Sequence, residues 1–296
     1  MCWSRRFCLL AVTALHAAAA NAQDGAGPAP VGGSPEWMLA ASVLTDEQSY
    51  EHANAGLYLA FRDKTWFSLT AGQSRAPSAE EDIRAGLVSL GIEHDFGPVG
   101  FGLAAERWGD ADNLETQDWQ GEIFFGDERY RVALAVERRA IDIYFSGAGL
   151  VPIATDLRRA SIDADGVGID WRFRIAPTWR TYGSWMDYDY PRGIRLVPRA
   201  DRLGLLSSSA VTLAYSFADR YETLGFEHSV ERMLINFDFS RDRSAIDGTK
   251  LRSVTASLLW PVARRMDLEF RLGSSRVDGA GATLHGGLTI LVYGGG

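Results

Sequence analysis

Apolar residues recur at every second position along almost the whole chain. Leu57, Leu59 and Phe61 form one set, followed by Phe67, Leu69 and Ala71, then by Val88, Leu90 and Ile92. Val99, Phe101, Leu103 and Ala105 continue it, as do Val167, Ile169, Trp171 and Phe173, and then Val211, Leu213, Tyr215 and Phe217. Later sets are Val254, Ala256, Leu258 and Trp260; Met266, Leu268, Phe270 and Leu272; and Leu284, Leu288, Ile290 and Val292. The positions between them are mostly Gly, Ala, Ser, Thr, Arg, Asp or Glu. Successive side chains of a strand point to opposite faces, so each set predicts a strand with one apolar and one polar face. Helical periodicity is nearly absent, and the fold class is all-β.

Two stretches change phase. In RYRVALAVERRAIDIYF (129–145), Tyr130, Val132, Leu134 and Val136 hold one parity, and Ile141, Ile143 and Phe145 the other. In YETLGFEHSVERMLINFDF (221–239), Leu224, Phe226 and Val230 give way to Met233, Ile235, Phe237 and Phe239. Each is either a hairpin or one strand with a bulge, which adds a residue and shifts the side-chain phase. Connection lengths separate the two readings. Short connections fall at Asp63-Lys64, Gly97-Pro98, Asp127-Glu128, Ala176-Pro177, Asp219-Arg220 and Pro261 to Arg264. Long ones fall at 46–53, 74–83, 109–114, 147–161, 189–206, 243–250 and 274–283. Short and long alternate strictly if both stretches are single bulged strands. The prediction is an antiparallel up-and-down barrel of about 14 strands, with about 12 to 16 compatible with the pattern and both termini at the short-turn end.

A sandwich or propeller also alternates. Segments of about ten residues, however, match a tilted membrane-spanning strand, and the loop asymmetry matches outer-membrane barrels. Aromatics gather near both strand ends. Trp37, Phe61, Phe96, Tyr130, Phe173, Trp179, Phe217, Tyr221 and Trp260 lie by the predicted short turns. Trp108, Trp119, Phe145, Trp185 and Tyr188 lie by the long loops. Amphipathic rings settle at headgroup level, so two girdles are expected. In architecture the chain resembles the porin-like class of bacterial outer-membrane β-barrel proteins. The last strand, HGGLTILVY (285–293), resembles the C-terminal signal read by the barrel-assembly machinery, which implies that role for Gly287, Ile290, Val292 and Tyr293. It departs from that signal in that Gly294 to Gly296 follow the aromatic, and Tyr293 is out of phase with Ile290 and Val292.

The N-terminus adds an export signal. Arg5 and Arg6 precede the apolar FCLLAVTALHAAAA, and Ala20-Asn21-Ala22 is an A-x-A cleavage site. Residues 1–22 are therefore expected to be a cleaved signal peptide and 23–35 a flexible leader. The barrel is expected over 36–293, with 294–296 as a glycine tail. Both cysteines, Cys2 and Cys8, fall within the signal, so the mature chain has no disulfide, Cys-ligated metal or Cys nucleophile. Formal net charge is −8, and loss of Arg5 and Arg6 takes it to −10. Bases and acids are scattered along the chain, which argues against nucleic acid as a partner.

Candidate chemistry is sparse. His228, Ser229 and Asn236 resemble in type the set of the outer-membrane phospholipase. That family and the lipid A deacylases place His and Ser two apart on one strand face, whereas consecutive residues point to opposite faces. His52, His94 and His285 have no partner at metal-ligand spacing. Leu114 breaks the oxygen spacing of Asp110, Asp112, Asn113 and Glu115, leaving an acidic loop suited to bridging lipopolysaccharide through divalent cations. No catalytic residue, cofactor or metal is assigned.

With the apolar parity facing lipid, the lumen receives Arg62, Glu93, Glu106, Glu122, Arg131, Glu137, Asp170, Arg172, Arg174, Arg180, Glu227, Asp238, Asp267, Glu269 and Arg271. Charge on the lipid face is costly, so these groups face water or each other. The expected function is passage of small hydrophilic solutes across the bacterial outer membrane through a lumen of mixed charge. A non-conducting structural or surface-interaction barrel is the alternative, and a lipid- or peptide-acting enzyme the third.

Overall fold

Fourteen antiparallel strands close on themselves in the computed structural model. In chain order they are β1 (Trp37–Asp46), β2 (Glu51–Phe61), β3 (Thr65–Ala76), β4 (Ile83–Asp95), β5 (Val99–Asp110), β6 (Leu114–Gly126) and β7 (Tyr130–Tyr144). They continue with β8 (Arg159–Ala176), β9 (Trp179–Asp189), β10 (Ala218–Val230), β11 (Met233–Ser244), β12 (Lys250–Ala263), β13 (Met266–Val277) and β14 (Ala282–Gly294). The structure describes residues 36–47, 49–61, 64–76, 83–110, 114–144, 159–190, 217–245, 248–279 and 281–294. Each strand pairs with its chain neighbours, and β1 pairs with β14 from Trp37↔Gly294 to Asp46↔His285, so no edge is left open. β14 thus extends one residue beyond Tyr293.

The count of 14 stands, but two features differ from expectation. The β7 phase change involves no bulge. Its register runs one-to-one from Gly126↔Arg131 to Leu114↔Ile143 on one side, and from Tyr130↔Phe173 to Tyr144↔Arg159 on the other. Parity is constant, and the surroundings change instead. Leu134 and Val136 point outward at 59% and 61% exposure, while Ile141 points inward at 0%. Further along the outward face come Arg138 and Asp142, because the strand has left the apolar zone.

The second stretch is a hairpin. β10 and β11 pair from Val230↔Met233 outward around the two-residue turn Glu231-Arg232, where Glu231 takes the left-handed φ of 54°. Asp219-Arg220 is therefore no short turn but lies within β10. Phe217 and Tyr221 sit at the long-loop end, and Phe217 is 1% exposed, so neither belongs to the short-turn girdle. β9 pairs directly with β10, and the barrel closes without the strand expected over 211–217, whose residues 211–216 lie outside the described residues. One strand fewer and one hairpin more leave the total unchanged. Short and long connections still alternate except around β5 and β6, with 231–232 replacing 219–220. The expected loop 109–114 contracts to 111–113, because β5 and β6 continue past the apolar zone.

Outward positions form a continuous apolar belt that includes Leu39, Leu69, Leu90, Leu103, Ile123, Leu134, Val167, Phe237, Phe270 and Ile290, all exposed. At the short-turn end it is bounded by Phe61, Phe96, Tyr130, Trp179 and Trp260, also exposed. His94 packs edge-on to Phe96 there (4.4 Å between centroids), and His228 stacks on Trp179 (4.1 Å). Trp119 marks the other side of the belt. No helix among the described residues is long and apolar enough to cross a membrane, so any crossing is made by strands. Leu134→Arg, near the middle of the belt, is expected to destabilise the barrel by roughly 2–4 kcal/mol. Arg138→Leu, one outward step beyond the belt, should cost far less. Urea titration in phospholipid vesicles followed by tryptophan fluorescence measures both.

Candidate functional site

The interior face is the other parity of the same strands. Among the expected residues, Arg62 lies outside the described residues. Glu93, Glu106, Glu122, Arg131, Glu137, Asp170 and Arg172 all occupy the inward parity. So do Arg174, Arg180, Glu227, Asp238, Asp267, Glu269 and Arg271. Asp118, Arg139 and Asp242 join them. Arg139 was missed because the assumed bulge turned it outward, and Asp118 and Asp242 because they lie beyond the regular apolar alternation of β6 and β11. Continuing the parity of Glu137 by two residues reaches Arg139 directly.

The charges meet in compact groups. Arg131 forks onto Glu93 (Nη1 to Oε1 3.0 Å, Nη2 to Oε2 3.2 Å) and reaches Glu122 (3.0 Å) while lying 3.9 Å over the Phe124 ring. Arg139 donates to Asp118 (Nε to Oδ1 3.0 Å) and to Glu137 (2.9 Å), and its guanidinium covers the Tyr188 ring at 4.6 Å. Tyr188 in turn donates to Glu137 (3.0 Å). Arg180 holds Glu227 (2.8 Å) and Arg271 holds Glu269 (3.0 Å). Planar guanidinium forks suit carboxylates, and the partly enclosed setting strengthens each contact. Tyr182 donates to Asp238, with its ring crossing Gly225, where a Cβ would overlap it. Tyr293 donates to Asp267 (2.9 Å).

The wall from β11 round to β2 is different. Hydroxyl, amide and imidazole groups face inward: Asn236 donates to Ser257 (3.2 Å), Ser253 and Ser275 share a hydrogen bond (2.8 Å), and Ser42 donates to Asn54 (2.6 Å). His285 lies 3.3 Å from Thr255, and His52 lies 3.2 Å from Asn54. The side from β4 to β10 is therefore the more heavily charged, while the side from β11 to β2 mixes these neutral groups with Asp238, Asp242, Asp267, Glu269 and Arg271.

At the long-loop end the interior turns apolar. Leu114, Ile141, Ile143, Phe217 and Ala245 form a buried cluster, with Trp108, Ile162 and Tyr190 packed against it. Phe217 and Ala245 flank the β10–β11 hairpin, so the cluster draws that hairpin toward β6 and β7. Tyr190 donates to the Ala218 carbonyl (2.9 Å), and burial pushes its phenol up to about 12, which keeps it a neutral donor.

The hydrolase-like residues do not come together. His228 pairs across from Ile235 on the outer face and stacks on Trp179, whereas Ser229 and Asn236 have the inward parity. Among the described residues no group of three or more His, Cys, Asp or Glu is placed to hold a metal ion. In β14, Gly287 and Tyr293 face inward, and Ile290 and Val292 face outward, paired with Ala41 and Leu39 at the seam.

No family model and no curated protein matches the chain. Among solved structures, a CymD monoaromatic hydrocarbon channel superposes with a TM-score of 0.53 at 7% identity, over 87% of each chain. A KdgM porin gives 0.43 at 7% identity, over 86% of this chain and 98% of that one. An anion-selective porin from Comamonas acidovorans gives 0.46 at 7% identity, with the same coverage. The likeness is one of fold: a closed antiparallel barrel.

Arg139 should be the least replaceable of the interior charges. Arg139→Met leaves Asp118 and Glu137 together without their cation and is expected to cost roughly 3–5 kcal/mol. Adding Asp118→Asn and Glu137→Gln should restore most of it. The same vesicle titration reads the difference.

Proposed function

We propose that this protein is a passive channel of the bacterial outer membrane, passing small hydrophilic solutes between the charged and the hydroxyl-bearing walls without covalent chemistry. The observation that carries this reading is the opposite polarity of the two faces of one closed sheet. A belt of exposed Leu, Val, Ile and Phe surrounds an interior of Arg, Asp, Glu, Ser and Asn. An apolar exterior suits lipid, and interior charges are affordable only beside water or each other. In this reading the fifteen candidates from Arg62 to Arg271 line the solute path. The segment 1–22 is the cleaved export signal, and Gly287, Ile290, Val292 and Tyr293 present β14 to the assembly machinery. Lipopolysaccharide is met at the long-loop end of the barrel.

A second reading, a non-conducting structural barrel, draws on the apolar cluster at the long-loop end, where Ile141 and Phe217 are fully buried. Purified protein in planar bilayers separates the two. Stepwise current is expected, and its repeated absence sinks the channel reading. A silent wild type beside a conducting Phe217→Ala variant selects the second. Location has its own check: the protein should migrate differently with and without boiling and remain in the Sarkosyl-insoluble fraction. A freely soluble periplasmic product contradicts the membrane assignment.

A further inference from the structure

We infer that the interior field makes this channel prefer cations to anions, an inference that rests on the channel reading above. Interior charges could simply cancel. Pairing in the described residues follows a different stoichiometry, because a guanidinium repeatedly serves two carboxylates. Arg131 is shared by Glu93 and Glu122, and Arg139 by Asp118 and Glu137.

The hydrogen bonds on Asp238 and Asp267 come from the hydroxyls of Tyr182 and Tyr293, which satisfy oxygens without cancelling charge. The inward strand positions described above carry eleven carboxyls against six guanidiniums, and Asp46, Asp95 and Asp110 add acid at the strand ends. Among the described residues, the facing wall from β11 to β2 contributes only Arg271 as an inward cation, already counted, beside Asp238, Asp242, Asp267 and Glu269. A lumen enclosed by low-dielectric walls focuses such an imbalance along its length, raising the local cation concentration and excluding anions. The chain as a whole, at −8, biases the approach to the mouth in the same direction.

Reversal potentials of the purified full-length protein across a tenfold KCl gradient test this. The potential should lie on the potassium side, with a potassium-to-chloride permeability ratio above one. Glu122→Gln leaves Arg131 forked onto Glu93 and removes one of the surplus charges. It is expected to lower the ratio about twofold, the Boltzmann weight of one elementary charge about 10 Å from an ion in water. Asp163→Asn, on the outer face of β8, should leave the ratio unchanged. Heat-modifiable migration establishes that each variant has folded. Should Glu122→Gln fail that check, Asp267→Asn replaces it, since the amide oxygen still accepts from Tyr293. Open channels with no preference, or with chloride preference, overturn the inference and leave the channel reading intact. A ratio indifferent to both Glu122→Gln and Asp267→Asn also overturns it. Absence of any current overturns the channel reading, and this inference with it.

Discussion

In hydrocarbon there is no water to accept a backbone N–H or donate to a carbonyl, so a strand that enters it must find a partner on each side. The β1–β14 seam meets that requirement for the whole sheet. Its ten residue pairs, from Trp37↔Gly294 to Asp46↔His285, convert an open ribbon into a ring with no exposed edge. Everything else depends on this closure. Only in a ring does the two-residue period of each strand sort side chains consistently into outside and inside. A break at the seam would expose the unpaired edges of β1 and β14 together.

Once the ring is closed, each face is solvated differently, and the same period acquires a different meaning at each height. Within the belt, apolar means outward, as at Leu134 and Val136. Past it, apolar means inward, as at Ile141 and Ile143, because water now bathes the outer face and Phe217 and Ala245 fill the inner one. Alternation alone reveals a strand and its parity. It does not reveal which medium lies on which side.

That distinction accounts for what was and was not legible in the chain. The all-β barrel and the strand parity follow from alternation together with loop lengths, and the register sets Arg131, Glu137 and Glu227 on the parity opposite the apolar belt. The slip in β7 was read as a bulge because an inversion of surroundings and an inserted residue leave the same trace in sequence. The slip around Glu231-Arg232 has a third cause, a real turn, and no Gly or Asn marks it. The groups around Arg139 lie beyond the point of inversion, where a rule tuned to the lipid zone points the wrong way. The total of 14 strands survived because the merged hairpin offset a strand assigned to 211–217.

The step from Val136 to Arg138 has a counterpart on the neighbouring strand. Val136 lies opposite Val167, and Arg138 opposite Asp165, so both strands leave lipid at one level. Above it, β7 and β8 rise as a two-stranded lip with polar residues outside, where Arg138 meets Asp163 at 3.3 Å, and Ile141, Ile143 and Ile162 inside. At about 3.3 Å per residue, β8 with its 18 residues runs roughly 25 Å further than β1 with its 10. Among the described strands the rim is therefore cut obliquely, like a quill. Solutes arriving over β1, β2 and β14 meet a low sill, while those arriving over β7 and β8 meet a wall, which gives a ring of nearly uniform strands a front and a back.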